Sequence, residues 1–102
     1  MSVVVINKDN FENEVLKSEK TVLLDFYANW CGPCRMLSPT VEKIAAENPE
    51  IKVGKINVDE EEDLAVAFGV MSIPALFVLK DGKVVNQSLG VIPEAQILDM
   101  LG

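Results

Sequence analysis

Two thiols separated by two residues, Cys31 and Cys34, are the groups in this 102-residue chain whose spacing points to chemistry. A C-x-x-C pair serves either reversible disulfide exchange or one half of a metal site. Structural zinc takes four ligands, and the chain has neither a further cysteine nor a histidine to complete the set. Lack of histidine also removes the usual general base and any Cys-His protease arrangement. As a structural staple, a disulfide closing so short a loop would add little by chain entropy. In a reducing compartment such a pair is more often redox-active or metal-binding than structural. The expectation is redox chemistry, with no metal and no cofactor. No glycine-rich loop is present that could cradle a nucleotide phosphate.

The pair must be positioned by a helix. Leu37, Val41, Ile44 and Ala45 recur at helical spacing after it, and the pattern ends before Pro49. Pro39 falls inside, where one lost backbone hydrogen bond predicts a kink. A thiol at a helix amino terminus faces unpaired N–H groups and the positive end of the dipole, so its thiolate is favoured. Cys31 is therefore expected to be the exposed, attacking thiol. Cys34, three residues on and in the same turn, is expected to resolve the mixed disulfide. Between them Pro33 suits an early helical position and Gly32 a close approach. Together they stiffen the two-cysteine turn and help set how readily the disulfide forms.

The remaining elements read as an alternation. Val3 to Ile6 is a short β-branched strand. Asp9 and Glu12 have the form of a capping box for a helix carrying Phe11, Val15 and Leu16 on one face. Thr21 to Ala28, a nearly unbroken apolar run, suits a central strand covered on both faces. Asp25 inside that run predicts a buried carboxyl whose pKa desolvation raises. Ile51 to Val58 is a further strand. Asp59 with Glu62 opens a short helix through Leu64 and Phe68, closed by Gly69. Acidic residues from Asp59 to Asp63 are read as a helix start, where negative charge is favourable, rather than as a site. Ala75 to Leu79 and Val84 to Ser88 pair through the turn Asp81-Gly82. Pro93 begins a last helix with Ile97, Leu98 and Leu101 facing inward. The order βαβαβα then ββα predicts an α/β fold: a mixed central sheet of about five strands flanked by four helices.

The segments LLDFYANWCGPC, KINVD (Lys55 to Asp59), Ser72-Ile73-Pro74 and Gly90 occur in this order. Together they resemble the thioredoxin family, in its small bacterial form, across essentially the whole chain. The resemblance implies the thioredoxin fold and protein-disulfide reductase activity carried by a reversible Cys31-Cys34 pair. By resemblance, Asp25 lies behind Cys34 and accepts its proton, with Lys55 near that acid. Gly32-Pro33 marks reducing members. Trp30 shields the reactive sulfur and contacts partners. Pro74 follows a cis bond, and the Ile73 backbone pairs with a bound peptide like an added strand. Gly90 and Val91 complete an apolar partner surface with Trp30, Gly32, Pro33 and Ile73. The usual electron donor in the family is a separate flavin- and NADPH-dependent thioredoxin reductase. Tyr27, Ala75 and Arg35 stand where tryptophan, threonine and lysine are frequent among bacterial members.

Composition narrows the partners. Sixteen acids against nine bases leave a net charge of −7, which repels phosphate backbones, so nucleic acid is not an expected partner. Disulfide-containing proteins are. No run approaches the ~20 apolar residues needed to span a bilayer. The amino-terminal run from Met1 to Ile6 lacks the basic flank and length of a secretory leader, so the cytoplasm is expected. Length fits one domain, residues 1–102, and a monomer is expected. Two other functions remain open on sequence. The chain could be a reduced binding module held in a larger assembly, or a specialised oxidant or isomerase, against which Gly32-Pro33 argues.

Overall fold

The computed structural model describes residues 3–102. Met1 and Ser2, which open the amino-terminal run, lie outside the described residues. Among the described residues the chain forms five strands, β1 (Val3–Val5), β2 (Val22–Tyr27), β3 (Lys52–Asn57), β4 (Ala75–Lys80) and β5 (Lys83–Leu89). Three α-helices, α1 (Gly32–Glu47), α2 (Glu62–Ala67) and α3 (Glu94–Leu101), join a π-helical turn at Glu12–Leu16. Strand order is β1-β3-β2-β4-β5. β1 and β2 run parallel to β3, while β4 is antiparallel to both β2 and β5, so the sheet is mixed.

β2 is central, as its unbroken apolar run requires. Alternation sends Val22, Leu24 and Phe26 to one face, where they pack with Ile6, Val15, Ile56 and Phe77. Phe68 from the end of α2 packs against the rings of Phe26 and Phe77, with centroids 5.1 Å away in each case. Leu23 points to the other face and joins Leu37, Val41 and Ile44 of α1 and Ile97 of α3. Asp25 shares the parity of Leu23, and this is what aims it at α1.

Four local expectations need correction. The first helix is not capped by Asp9. Asn7 Oδ1 instead accepts from the N–H groups of Asp9 and Asn10, and Asn10 Oδ1 accepts from Asn7 N–H. Asn side chains compete well for nearby backbone donors, and here two of them build the turn that the capping box was expected to make. The segment that follows closes through Lys17 N–H to Glu12 O, a wider turn that leaves Leu16 exposed. Pro93 precedes α3 in extended conformation rather than starting it, and Leu98 faces solvent while Ile97 is buried.

Other punctuation acts as expected. Gly69 N–H bonds Val66 O and Val70 N–H bonds Ala65 O, a Schellman closure of α2. Asp81 and Gly82 both have positive φ (54° and 77°), the requirement of a two-residue hairpin turn between β4 and β5. Pro39 lies within α1, where the Arg35 carbonyl lacks its intrahelical donor. Among the described residues no helix is long and apolar enough to cross a membrane.

Candidate active site

β2 ends at Tyr27, and Cys31 N–H bonds the Ala28 carbonyl at 3.2 Å in the turn that leads into α1. Cys31 keeps an extended backbone (φ −88°, ψ 110°) and occupies the N-cap, where its Sγ accepts from Cys34 N–H at 3.2 Å. A serine or aspartate oxygen takes this position at ordinary helix starts. Sulfur placed there meets the positive end of a 16-residue helix, so negative charge on Cys31 is favoured. Pro33, in the first turn, brings no N–H that would need a partner. Cys34 lies within the same turn, its Cα 5.3 Å from that of Cys31, and the two form a disulfide.

The expectation that Cys31 is the exposed sulfur is corrected. Both cysteines are 4% exposed, packed with Ala28 and against Tyr27, Val58 and Ile73. What separates them is the cavity each one faces. Cys31 lines an open groove of about 490 Å³ with Trp30, Gly32, Pro33 and Ile73, and Val58 and Met71 extend its apolar wall. Cys31 Sγ lies 4.0 Å from the Ile73 carbonyl oxygen. The Ile73–Pro74 bond is cis, and the Pro74 carbonyl accepts from Gly90 N–H at 2.8 Å. Gly90 therefore sits beside Pro74, and neither it nor the exposed Val91 lines the groove. Gly32 answers no crowding within the chain, since a Cβ there would meet nothing within 4 Å. Its missing side chain leaves the groove rim open.

Cys34 faces the other way, into a cleft of about 160 Å³ that it shares with Asp25, Lys55, Tyr27, Arg35 and Ser38. Asp25 is buried, and its Oδ1 has no hydrogen-bond partner among the described residues. Burial pushes its carboxyl up from 3.8 to about 7, and the Lys55 charge opposes this only in part. Lys55 Nζ sits 5.7 Å from the centre of the Tyr27 ring, so the ammonium is shared with an aromatic face.

Two polar contacts at this end involve Asp59, which its acidic context assigns to the start of α2. Trp30 Nε1 donates to Asp59 Oδ2 at 2.8 Å, although Asp59 was expected to cap α2. The N-cap position of α2 belongs to Glu61, two residues later. Asn57, buried at the end of β3 and not singled out from sequence, accepts from Asp59 N–H at 2.9 Å. The spacing Asn57-x-Asp59 is that of an Asx turn, a signal within KINVD that could have found both residues. Arg35 Nη1 donates to the Asn29 carbonyl at 2.6 Å and braces the loop before the pair. Among the described residues no three His, Cys, Asp or Glu side chains gather as a metal site would need.

The arrangement can exchange electrons as thiols. One sulfur opens on an apolar groove, and its partner shares a cleft with a carboxyl able to take or return a proton near neutrality.

Comparison with known proteins agrees with this geometry. The family profile described as Thioredoxin matches residues 2–102. A thioredoxin of Streptomyces clavuligerus is 46% identical over 93 residues, covering 91% of this chain and 87% of that protein. A thioredoxin of Chlorobaculum thiosulfatiphilum is 45% identical over 89 residues, covering 86% of this chain and 82% of that protein. Thioredoxin 1 of Synechococcus elongatus is 43% identical over 103 residues, covering 99% of this chain and 96% of that protein. The fold is the thioredoxin fold, the Cys31-Cys34 disulfide sits at the start of its long helix, and the chain belongs to the thioredoxin family of thiol–disulfide oxidoreductases.

Proposed function

We propose that the chain is a protein-disulfide reductase in which Cys31 attacks, Cys34 resolves and Asp25 handles the resolving proton. The observation that carries this reading is the opposite outlook of the two sulfurs. Cys31 faces the apolar groove, and Cys34 faces the cleft that holds Asp25. In the reduced protein the Cys31 thiolate attacks one sulfur of a client disulfide. The client S–S bond breaks, the first client thiolate leaves and takes a proton, and a mixed disulfide remains. Cys34 then yields its proton to the Asp25 carboxylate and attacks Cys31 Sγ, releasing the second client thiolate. Two electrons pass to the client, and the Cys31-Cys34 disulfide is the product.

Within this reading Trp30, Ile73 and Pro74 border the bound client segment, and Gly90 and Val91 flank it beside Pro74. Gly32 and Pro33 shape the two-cysteine turn, and Lys55 moderates Asp25. The oxidised chain is recharged by a separate thioredoxin reductase, so it acts as an electron carrier in cell redox homeostasis. It does so as a monomeric single domain in the cytoplasm.

Reduction of insulin disulfides tests the proposal, with NADPH and a bacterial thioredoxin reductase as the electron source. One NADPH should be consumed per client disulfide reduced, and the Cys31-Cys34 potential should lie on the reducing side of the glutathione couple. A pair that equilibrates as an oxidant of glutathione would overturn the assignment as a reductant.

A further inference from the structure

Met71 is 96% exposed, the most open of the large apolar side chains among the described residues. It follows the closure of α2 at Gly69 and Val70 and precedes the cis bond at Pro74, so no helix or strand packs it inward. A single exposed apolar residue needs no explanation, but Met71 does not stand alone. It walls the groove that Cys31 faces. With Val70 and Ser72 it also walls a second apolar cavity, of about 250 Å³, that reaches to Phe77 and Leu89. Methionine suits such a place, because an unbranched, polarisable side chain moulds to apolar segments of differing shape. The same thioether can be oxidised, and one added oxygen makes the side chain polar and chiral. Met36, 70% exposed on α1, lines neither cavity, and Met100 is partly buried against the core on the α1 side of the sheet. In the disulfide form the cysteine sulfurs are bonded to one another and 4% exposed, so no thiolate competes with Met71 for an oxidant.

We propose that Met71 is a modification site: a peroxide converts its thioether to the sulfoxide, and the polar wall that results weakens docking of apolar client segments in the groove. The proposal rests on the groove being the client-docking site proposed above. Hydrogen peroxide alone balances the step. The Met71 sulfur attacks one peroxide oxygen, the O–O bond breaks, an S–O bond forms, and water leaves with both protons. Sulfur gives up two electrons and the peroxide takes them. Covering a sulfoxide with an apolar client, without a hydrogen-bond partner, corresponds to roughly a two- to tenfold loss of rate on protein disulfides. The exchanging sulfurs themselves are untouched.

To test this, the full chain in its disulfide form is treated with hydrogen peroxide, freed of it with catalase, reduced with dithiothreitol and desalted. Peptide mass mapping should find one added oxygen on Met71. The second-order rate of reaction with insulin should then be about two- to tenfold below that of the untreated chain. The rate with Ellman's reagent, a small aromatic disulfide too compact to need the whole groove, should be the same before and after treatment. Met71→Leu keeps an apolar wall without an oxidisable sulfur, so peroxide should not change its rate with insulin. Met36→Leu should respond to peroxide as the parent does. Met71→Gln, polar without any oxidant, should reproduce the loss on insulin alone. The proposal fails if Met71 stays unmodified while Met36 is oxidised, or if Met71→Leu still responds to peroxide. It also fails if both disulfides slow equally, or if Met71→Gln reacts with insulin as fast as the parent. Should the untreated chain reduce Ellman's reagent but not insulin, the docking reading of the groove falls and this proposal with it. If the untreated chain reduces both and the Met71 sulfoxide changes neither rate, only the role of Met71 falls.

Discussion

Asp25 and Lys55 stand opposite one another in the parallel register of β2 and β3, yet the lysine does not hold the acid in the ordinary carboxylate range. Burial at Asp25 outweighs the facing charge and raises the carboxyl to about 7. The cause lies in the fold: Asp25 is sealed beneath α1 in the cleft with Cys34, while the Lys55 ammonium lies over the Tyr27 ring. A carboxyl so placed changes charge in the pH range where thiols are also exchanging protons.

Stability of the disulfide form should therefore depend on pH through Asp25. The folded carboxyl holds its proton up to about 7, whereas the unfolded one releases it near 3.8. This group's contribution is fully present below 3.8, declines as pH rises toward about 7, and is lost above that. The displacement corresponds to an upper bound of roughly 4 kcal/mol. Asp25→Asn removes the ionisation but keeps a buried amide that needs partners. It should stabilise the oxidised protein by about 1–3 kcal/mol at pH 8.5, with the gain shrinking toward zero at pH 4. Denaturant unfolding at several pH values measures this, and a gain that persists unchanged in acid would contradict it.

The same substitution should slow the chemistry it is proposed to serve. Release of the client requires Cys34 to lose its proton, and Asp25 accepts it only when ionised. In the parent chain the release rate should fall as pH drops below about 7, following the Asp25 carboxyl. Asp25→Asn should reduce the rate at pH 7 by about 10- to 100-fold and flatten that profile. Stopped-flow decay of a preformed mixed disulfide reads the step directly.

The two sulfurs should be separable by trapping. Cys34→Ser leaves the N-cap thiol facing the groove and should accumulate stable mixed disulfides with reduced-and-denatured client proteins that have been reoxidised. Cys31→Ser leaves a thiol facing the Asp25 cleft and should trap few. Non-reducing electrophoresis distinguishes them, and equal trapping would reverse the assignment of roles. Since both cysteines are equally covered in the disulfide form, the difference must come from direction and helix-terminus charge rather than from exposure.

Gly54 offers a prediction about the scaffold alone. It pairs with Val4 of β1 and Leu24 of β2, and a Cβ there would come within 2.7 Å of Ile6 Cγ1 and 3.2 Å of Leu24 Cδ2. Ile6 is fully buried and has nowhere to move. Gly54→Ala should therefore destabilise the protein by about 1–2 kcal/mol, overpacking exceeding the gain in strand propensity. The denaturation midpoint should fall while the folded variant keeps its rate on small disulfides.

Sequence by itself determined the chemistry and the frame that carries it. A C-x-x-C pair between an apolar run and a helical pattern places two sulfurs within one turn at a helix start, because spacing along a helix is a local property. The central position of Val22–Tyr27, the Asp81-Gly82 hairpin and the Gly69 closure were legible for the same reason: burial on both faces and positive φ leave marks in residue type. Tertiary structure alone decided matters that depend on two distant segments meeting. The equal burial of Cys31 and Cys34 follows from Tyr27, Val58 and Ile73 closing over them, and no spacing within WCGPC encodes that. Asp59 looked like a helix cap because its neighbours in sequence are helical. It serves Trp30 because the end of β3 brings Asn57 and its turn beside the start of α1. The crowding around Gly54 arises where β1 and β2 flank β3, and a glycine inside a strand carries no local sign of which side chains press on it. Local pattern reads what a residue does to its own backbone, and only packing reveals which partner it meets.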